Sequence, residues 1–485
     1  MSELSQLSPQ PLWDIFAKIC SIPHPSYHEE QLASYITAWA TEQGFWNERD
    51  EVGNILIRKP ATPGYENRKP VALQAHLDMV PQKNNDTLHD FTQDPIQPWV
   101  DGEWVKARGT TLGADNGIGM ASALAVLADN SLQHGPLEVL LTMTEETGMA
   151  GAFGLQPGWL QADILINTDS EEEGEIYMGC AGGVDFTSSL ELNYEAIPSD
   201  YQTMKLTLKG LKGGHSGCDI HLGLGNANKL LARFLFAHAQ RLDLRLVDFN
   251  GGTLRNAIPR EAYATLAVPS QQADRLKSVA ADYLLTLQNE LGLVEKNIAF
   301  VVEDITHAPQ ALDVRSRDAF IALLNSTPNG VIRHSDVMKG VVETSLNVGV
   351  VKLEDNQAKI NCLIRSLLDS GKQSVVETLT ALGQLAGAHT LAKGSYPGWQ
   401  PDGSSPVMAL VRTTYEQLFD KTPSIQVIHA GLECGLFKEP YPQMDMVSIG
   451  PTITGAHSPD EQAHIASVGL YWQLLTALLK AIPAK

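Results

Sequence analysis

Four short apolar runs along the chain each stop at a histidine, an acidic residue or a turn. Val71-Ala72-Leu73-Gln74-Ala75 ends at His76, and Val139-Leu140-Leu141-Thr142-Met143-Thr144 ends at Glu145-Glu146. Ile164-Leu165-Ile166-Asn167-Thr168 ends at Asp169, and Met446-Val447-Ser448-Ile449 leads through Gly450-Pro451 to the loop that holds His457. Short apolar runs without alternation predict strands buried on both faces, as in a parallel sheet. Helical spacing appears between and before them. Leu12, Ile15, Phe16 and Ile19, then Leu32, Tyr35, Ile36 and Trp39, predict helix within 9–43, and 117–128 predicts another. Strands alternating with helices predict an α/β domain with a mixed, largely parallel sheet.

The middle of the chain has a different texture. Period-two alternation at 203–209 and in parts of 262–268 and 358–365 predicts half-exposed antiparallel strands. Amphipathic helices near 226–243, 271–291 and 371–387 lie between them. This α+β pattern predicts a second domain over 187–396, inserted into a first domain formed by 1–186 and 397–485. The stretch Tyr396-Pro397-Gly398-Trp399-Gln400-Pro401-Asp402-Gly403 reads as the return linker.

Length and charge narrow the partners. A chain of 485 residues accommodates both domains at roughly 100–200 residues each. Lys and Arg number 35 against 56 Asp and Glu, a net charge of −21. Such a surface repels phosphate backbones and anionic lipid, so neither nucleic acid nor a membrane surface is expected as a partner. No apolar run approaches the ~20 residues needed to span a bilayer. The first residues, Met-Ser-Glu-Leu-Ser-Gln, show no basic or apolar region of a secretory leader. Cys20, Cys180, Cys218, Cys362 and Cys434 are odd in number and widely spaced. That argues against a disulfide framework or a thiolate zinc site, and predicts reduced thiols in the cytoplasm.

The chemistry gathers at the run ends. In open α/β sheets, ligands bind beyond the carboxyl ends of the strands. His76, Asp78, Glu145, Glu146, Asp169 and His457 fall there, and Asp115 lies in Gly113-Ala114-Asp115-Asn116-Gly117, before a helix of small residues. Each has an ordinary structural reading: Asp115 as an N-cap, Glu145-Glu146 as a solvated turn, Asp169 as the head of an acidic surface stretch, either histidine as a hydrogen-bonded loop residue. Together, two histidines and three carboxylates suit a pair of borderline divalent metals with nitrogen and oxygen ligands.

The order and wording of these motifs resemble a family. His76-Leu77-Asp78-Met79-Val80, Gly113-Ala114-Asp115-Asn116-Gly117, Thr144-Glu145-Glu146, Asn167-Thr168-Asp169 and Gly455-Ala456-His457-Ser458 are similar to the co-catalytic zinc peptidases, which include carnosinases, bacterial dipeptidases, tripeptide aminopeptidases, carboxypeptidase G and aminoacylases. Gly213-Gly214-His215-Ser216-Gly217, Thr253 to Arg260 and Ile428 to Gly435 resemble the bacterial dipeptidase branch. The resemblance covers essentially the whole chain. It implies two zinc ions, replaceable by cobalt or manganese. His76 and Asp169 would complete one metal site, Glu146 and His457 the other, and Asp115 would bridge them. Asp78 would fix the His76 tautomer. Glu145 would be the general base toward a hydroxide shared by the metals.

The same resemblance implies a cis peptide bond at Asp115-Asn116 and a lid or dimerisation role for the inserted domain. His215 would reach the partner subunit's site in a homodimer, and Arg365 would clamp the substrate carboxylate, with Asn256 as a further substrate contact. Cys218 and His221 are read as bystanders. The chain departs from many relatives in the turn after the bridge, which here reads Asp115-Asn116-Gly117-Ile118. Aspartate at 169 leans toward the aminopeptidase and dipeptidase branches. The expected activity is metal-dependent hydrolysis of dipeptides, including Xaa-His substrates such as carnosine. The alternatives are an N-acyl amino acid amidohydrolase, a tripeptide aminopeptidase of the same family, and a metal-dependent binding protein that has kept the fold. The presence of Glu145 beside all five ligands argues against the last.

Overall fold

The computed structural model describes residues 3–84, 86–306 and 308–485; Met1 and Ser2, part of the start read above as leaderless, lie outside that set. The chain divides into two units. The first is Met1–Gly179 with Trp399–Val427 and Leu432–Lys485, and the second is Cys180–Gly398 with Ile428–Gly431. The first crossing falls at 179/180 because Gly182–Glu191 is already a strand of the second unit's sheet; the chain returns at 398/399, and 428–431 belong to the second unit again.

In the first unit an eight-stranded sheet carries the apolar runs. Its centre is parallel: Leu137–Thr142, Val71–His76, Ile164–Asn167 and Asp445–Ser448 lie side by side in that order. Antiparallel strands flank this centre, Ile55–Lys59 on one side and Glu175–Cys180 on the other. The four central strands are almost wholly buried, which explains why their sequences run apolar without alternating. Their register sets the site. His76 pairs with Thr142, Gln74 with Asn167, and Asn167 with Ser448, so the carboxyl ends of all four strands meet at one edge.

Helices complete the layer. Residues 9–43 form Gln10–Cys20 and Glu30–Glu42, and the helix expected at 117–128 is Ala114–Ala128. The last is buried nearly all round, as its small apolar sequence demands. Its glycines permit close packing. A Cβ on Gly117 would stand 2.9 Å from the Phe16 ring, and one on Gly119 would stand 2.5 Å from the Thr168 carbonyl oxygen. The helix is thereby held against both the first helix and the segment leading to Asp169.

The second unit is built on a nine-stranded sheet whose described ladders are all antiparallel. Ala227–His238, Ala273–Leu291, Val314–Ser326 and Asp369–Ala386 share its apolar core. Three of these match the expected helices. Val314–Ser326, whose N-cap Asp313 accepts from the Ser316 N–H, was not anticipated. Among the described residues, no helix is long and apolar enough to cross a membrane.

Candidate metal and catalytic site

His76 ends its strand and is buried. Its Nδ1 lies 3.0 Å from the Asp78 carbonyl oxygen and 3.3 Å from Asp78 Oδ1. Both neighbours are acceptors, so Nδ1 carries a ring proton, and Nε2 would present its lone pair only where a cation takes the place of the second proton. That Nε2 stands 3.1 Å from Asp115 Oδ1 and 3.3 Å from Asp169 Oδ1. On the other side, His457 Nε2 stands 3.1 Å from Asp115 Oδ2 and 3.0 Å from Glu146 Oε2. Asp115 thus turns one oxygen to each histidine. It does not cap its helix: the N-cap is Gly113, and the Asp115 backbone is not helical. The peptide bond that follows it is cis, as the resemblance implies.

The Glu145-Glu146 turn is not a free surface turn. Asp78 Oδ1 accepts from the Glu145 N–H at 2.8 Å, and Oδ2 accepts from the Glu146 N–H at 3.2 Å and the Ser26 hydroxyl at 2.7 Å. Asp78 therefore ties the His76 ring to the turn bearing both glutamates. Glu29 accepts from the Thr144 N–H and hydroxyl at 2.9 and 2.7 Å, holding a residue whose φ is +52°. Beneath the strand ends runs a buried polar chain. Asn167 donates to Gln74 at 2.5 Å, Gln74 to Glu433 at 2.5 Å, and Thr142 to Glu433 at 2.7 Å. Ser26, Glu29, Gln74, Asn167, Glu433 and Glu461 are site components that the sequence reading did not single out.

The electrostatics call for positive charge. Burial, with Asp115 nearby, pushes Glu146 up to about 7. Burial pushes Asp169 up to about 6 and Glu433 up to about 8, each opposed by His76. Burial also raises Glu145 well above the carboxylate range, reinforced by Glu146, Asp169 and Glu433. Burial disfavours a charged His76, yet Asp169, Asp115 and Asp78 together raise it well above an ordinary imidazole. His457, paired with Asp115 and Glu146, rises to about 11. Glu146 Oε1 is buried without a hydrogen-bond donor, and the buried Asp169 Oδ1 faces His76 Nε2 at 3.3 Å. A buried carboxylate oxygen without a donor fits a cation. His76, Asp115 and Glu146 place donor atoms within 4.8 Å of one another, a grouping that could hold a metal ion.

The other three predicted residues lie in the second unit, close together. His215 pairs with Ala257 in a two-residue ladder, and the Asn256 carbonyl accepts from the Ser216 N–H at 2.9 Å. His215 Nδ1 accepts from the Gly217 and Cys218 N–H groups at 3.3 and 3.0 Å, and its Nε2 lies 3.4 Å from Arg365 Nη2. Cys218 contributes its backbone to that arrangement. Arg365 is only 5% exposed. It lies near the Ser216 and Tyr396 hydroxyls and His215 Nε2, at 3.2–3.5 Å.

His429 is buried in the same unit, with Nε2 2.8 Å from the Ser345 hydroxyl. Burial, with Arg365 and His215 nearby, lowers it from 6.5 to about 3. The unfolded chain therefore takes up this proton before the folded one does. Stability from His429 is complete above pH 6.5 and is lost as pH falls toward 3, on the order of 1 kcal/mol per pH unit. His429→Gln is expected to flatten the pH dependence of urea unfolding between pH 6 and 4; an unchanged slope would refute the assignment.

Comparison with known proteins shows the family. The model of peptidase family M20/M25/M40 matches residues 72–481, and the chain belongs to that family. It is 76% identical to the cytosol non-specific dipeptidase of Escherichia coli (strain K12), over 100% of both chains. Among solved structures it is similar to aminoacylhistidine dipeptidase from Vibrio alginolyticus, with 61% identity, a TM-score of 0.90, and coverage of 100% of this chain and 99% of that one. Aminopeptidase PepT from Bacillus cereus shares the fold at 15% identity, with a TM-score of 0.56 and coverage of 98% and 99%.

Proposed function

We propose that this chain is a cytoplasmic, broad-specificity dipeptidase that works with two divalent metal ions, zinc in the first instance, with cobalt or manganese as substitutes. The observation that carries the reading is the convergence of His76, Asp115, Glu146, Asp169 and His457 on one point, in a chain 76% identical to a dipeptidase throughout. His76 and Asp169 would hold one ion and Glu146 and His457 the other, with Asp115 shared. Bound there, the two cations supply Lewis acidity, which polarises the scissile carbonyl and acidifies water.

The remaining chemistry belongs to side chains. Asp78 fixes the His76 tautomer and, through two backbone N–H groups, the direction of the glutamate turn. Glu145 does not join the ion pairs of its neighbours among the described residues. It would take the proton of the attacking water and pass it to the leaving amine. His215 of the second unit would reach the partner subunit's site in a homodimer and stabilise the developing oxyanion there, and Asn256 is a further substrate contact. Arg365, buried beside the Ser216 and Tyr396 hydroxyls, suits the free carboxylate of a dipeptide. The second unit is also the proposed homodimer interface.

Arg365→Lys is expected to raise KM for dipeptides about tenfold, a loss near 1.4 kcal/mol, with little change in kcat. An unchanged KM would make Arg365 structural. The substrate class is tested on metal-reconstituted protein against a dipeptide panel that includes Xaa-His, beside a tripeptide and an N-acetyl dipeptide. Preferential cleavage of free dipeptides supports the proposal. Preference for the N-acetyl compound would assign an amidohydrolase, and preference for the tripeptide an aminopeptidase.

A further inference from the structure

The carboxylate with the most complete set of backbone partners at the site is not one of the five ligands. Glu461 is 2% exposed. Its Oε2 accepts from the Leu112 and Gly113 N–H groups at 2.7 and 2.9 Å, and its Oε1 accepts from the Asp115 N–H at 3.1 Å. These donors belong to the turn that enters the helix Ala114–Ala128. Glu461 itself closes the loop between strands Ile453–Thr454 and Gln462–His464, the loop that carries His457. That loop is held internally: the Glu461 N–H donates to Ser458 O at 3.1 Å, and the Ser458 N–H to Gly455 O at 3.2 Å.

We propose that Glu461 is a positioning residue that locks the turn of Asp115 to the loop of His457, so that both side chains face the same cation; this rests on the metal reading above. A second consequence follows from what the N–H groups would otherwise do. The first N–H groups of a helix lack intrahelical partners, and an aspartate in the first turn tends to bond to them. Glu461 occupies three of the donors around Asp115. The Asp115 carboxylate is left to face His76 and His457, with one oxygen for each. Only an acceptor-only side chain serves all three donors. A glutamine would turn an NH2 group against a backbone N–H.

The test uses the full chain. Glu461→Gln is titrated with Zn²⁺ against a competing chromophoric chelator, its Co²⁺ form is examined by visible absorption, and the metal-free forms are melted. The expected result is at least tenfold weaker binding of one cation, altered Co²⁺ ligand-field bands, and a lower kcat at nearly constant KM. Wild-type affinity and an unaltered Co²⁺ spectrum would overturn the proposal, whatever the melting temperature does. If Glu461→Gln does not fold, Glu461→Asp is measured instead. It keeps the charge but shortens the reach, so binding must again weaken, and unchanged affinity again overturns the proposal. Asp115→Ala separates the two layers of argument. If it binds both cations as wild type does, the metal reading fails. If it loses metal while Glu461→Gln does not, only the positioning role fails.

Discussion

Glu145→Gln is expected to lower kcat on a dipeptide by roughly 10²–10⁴-fold, the range that a positioned general base supplies. The substitution is isosteric and leaves the Glu145 N–H free to donate to Asp78, so the turn keeps its shape. Glu146, the adjacent proposed ligand, is held separately, by its own N–H to Asp78 and by its carboxylate against His457. Metal content should therefore remain at the wild-type level. Steady-state kinetics and metal analysis of the same preparation check both halves. Unimpaired turnover would remove Glu145 from the mechanism, and loss of metal would make it a ligand rather than a base.

Removing the metal is expected to have the second large effect, on stability as well as activity. Without cations, Asp115, Glu145, Glu146 and Asp169 crowd two histidines in a mostly buried space, and burial raises three of these carboxyls. A ligand that binds only the folded state at a hundredfold excess over its Kd stabilises by about 3 kcal/mol. Exhaustive chelation should abolish hydrolysis and lower the melting temperature of the first unit. Zn²⁺, Co²⁺ or Mn²⁺ should restore both. Calorimetry before and after chelation reads the effect; an identical melting profile and persistent activity would contradict it.

The proposed ligands are legible in the sequence for a geometric reason. A strand buried on both faces has an apolar sequence, and it stops being apolar where the sheet stops, which is where a ligand site sits. His76 and Asp169 mark such ends directly. Asp115 and His457 were legible only through the ordered motifs, since a left-handed turn at Gly113 and an exposed loop carry no period. Glu29 and Glu461 carry no local signal, and Glu433 is marked only as part of the stretch Ile428 to Gly435, with no role. Their roles arise from hydrogen bonds to residues 115, 291 and 346–349 positions away.

The second unit shows the same limit. Strand Val342–Glu354 buries Glu343, Thr344, Ser345 and Asn347 beside apolar residues, so its alternation is erased. These polar groups are tolerated because they are bonded: Asn347 donates to the Arg255 and Ala257 carbonyls, and Thr344 meets the Ser366 hydroxyl. The sheet of the first unit was read as largely parallel, and its centre is. Its antiparallel flanks follow from pairings such as Ile55 with Leu141, which join strands far apart in sequence.

The central claim is a two-metal site that hydrolyses dipeptides. It is tested most directly by titrating metal-free protein with Zn²⁺ while following hydrolysis of a free dipeptide. The account predicts activity that starts from zero and reaches its plateau at two equivalents per chain. Activity in the metal-free protein, or no activity at any zinc level in a protein that has bound two equivalents, would contradict it.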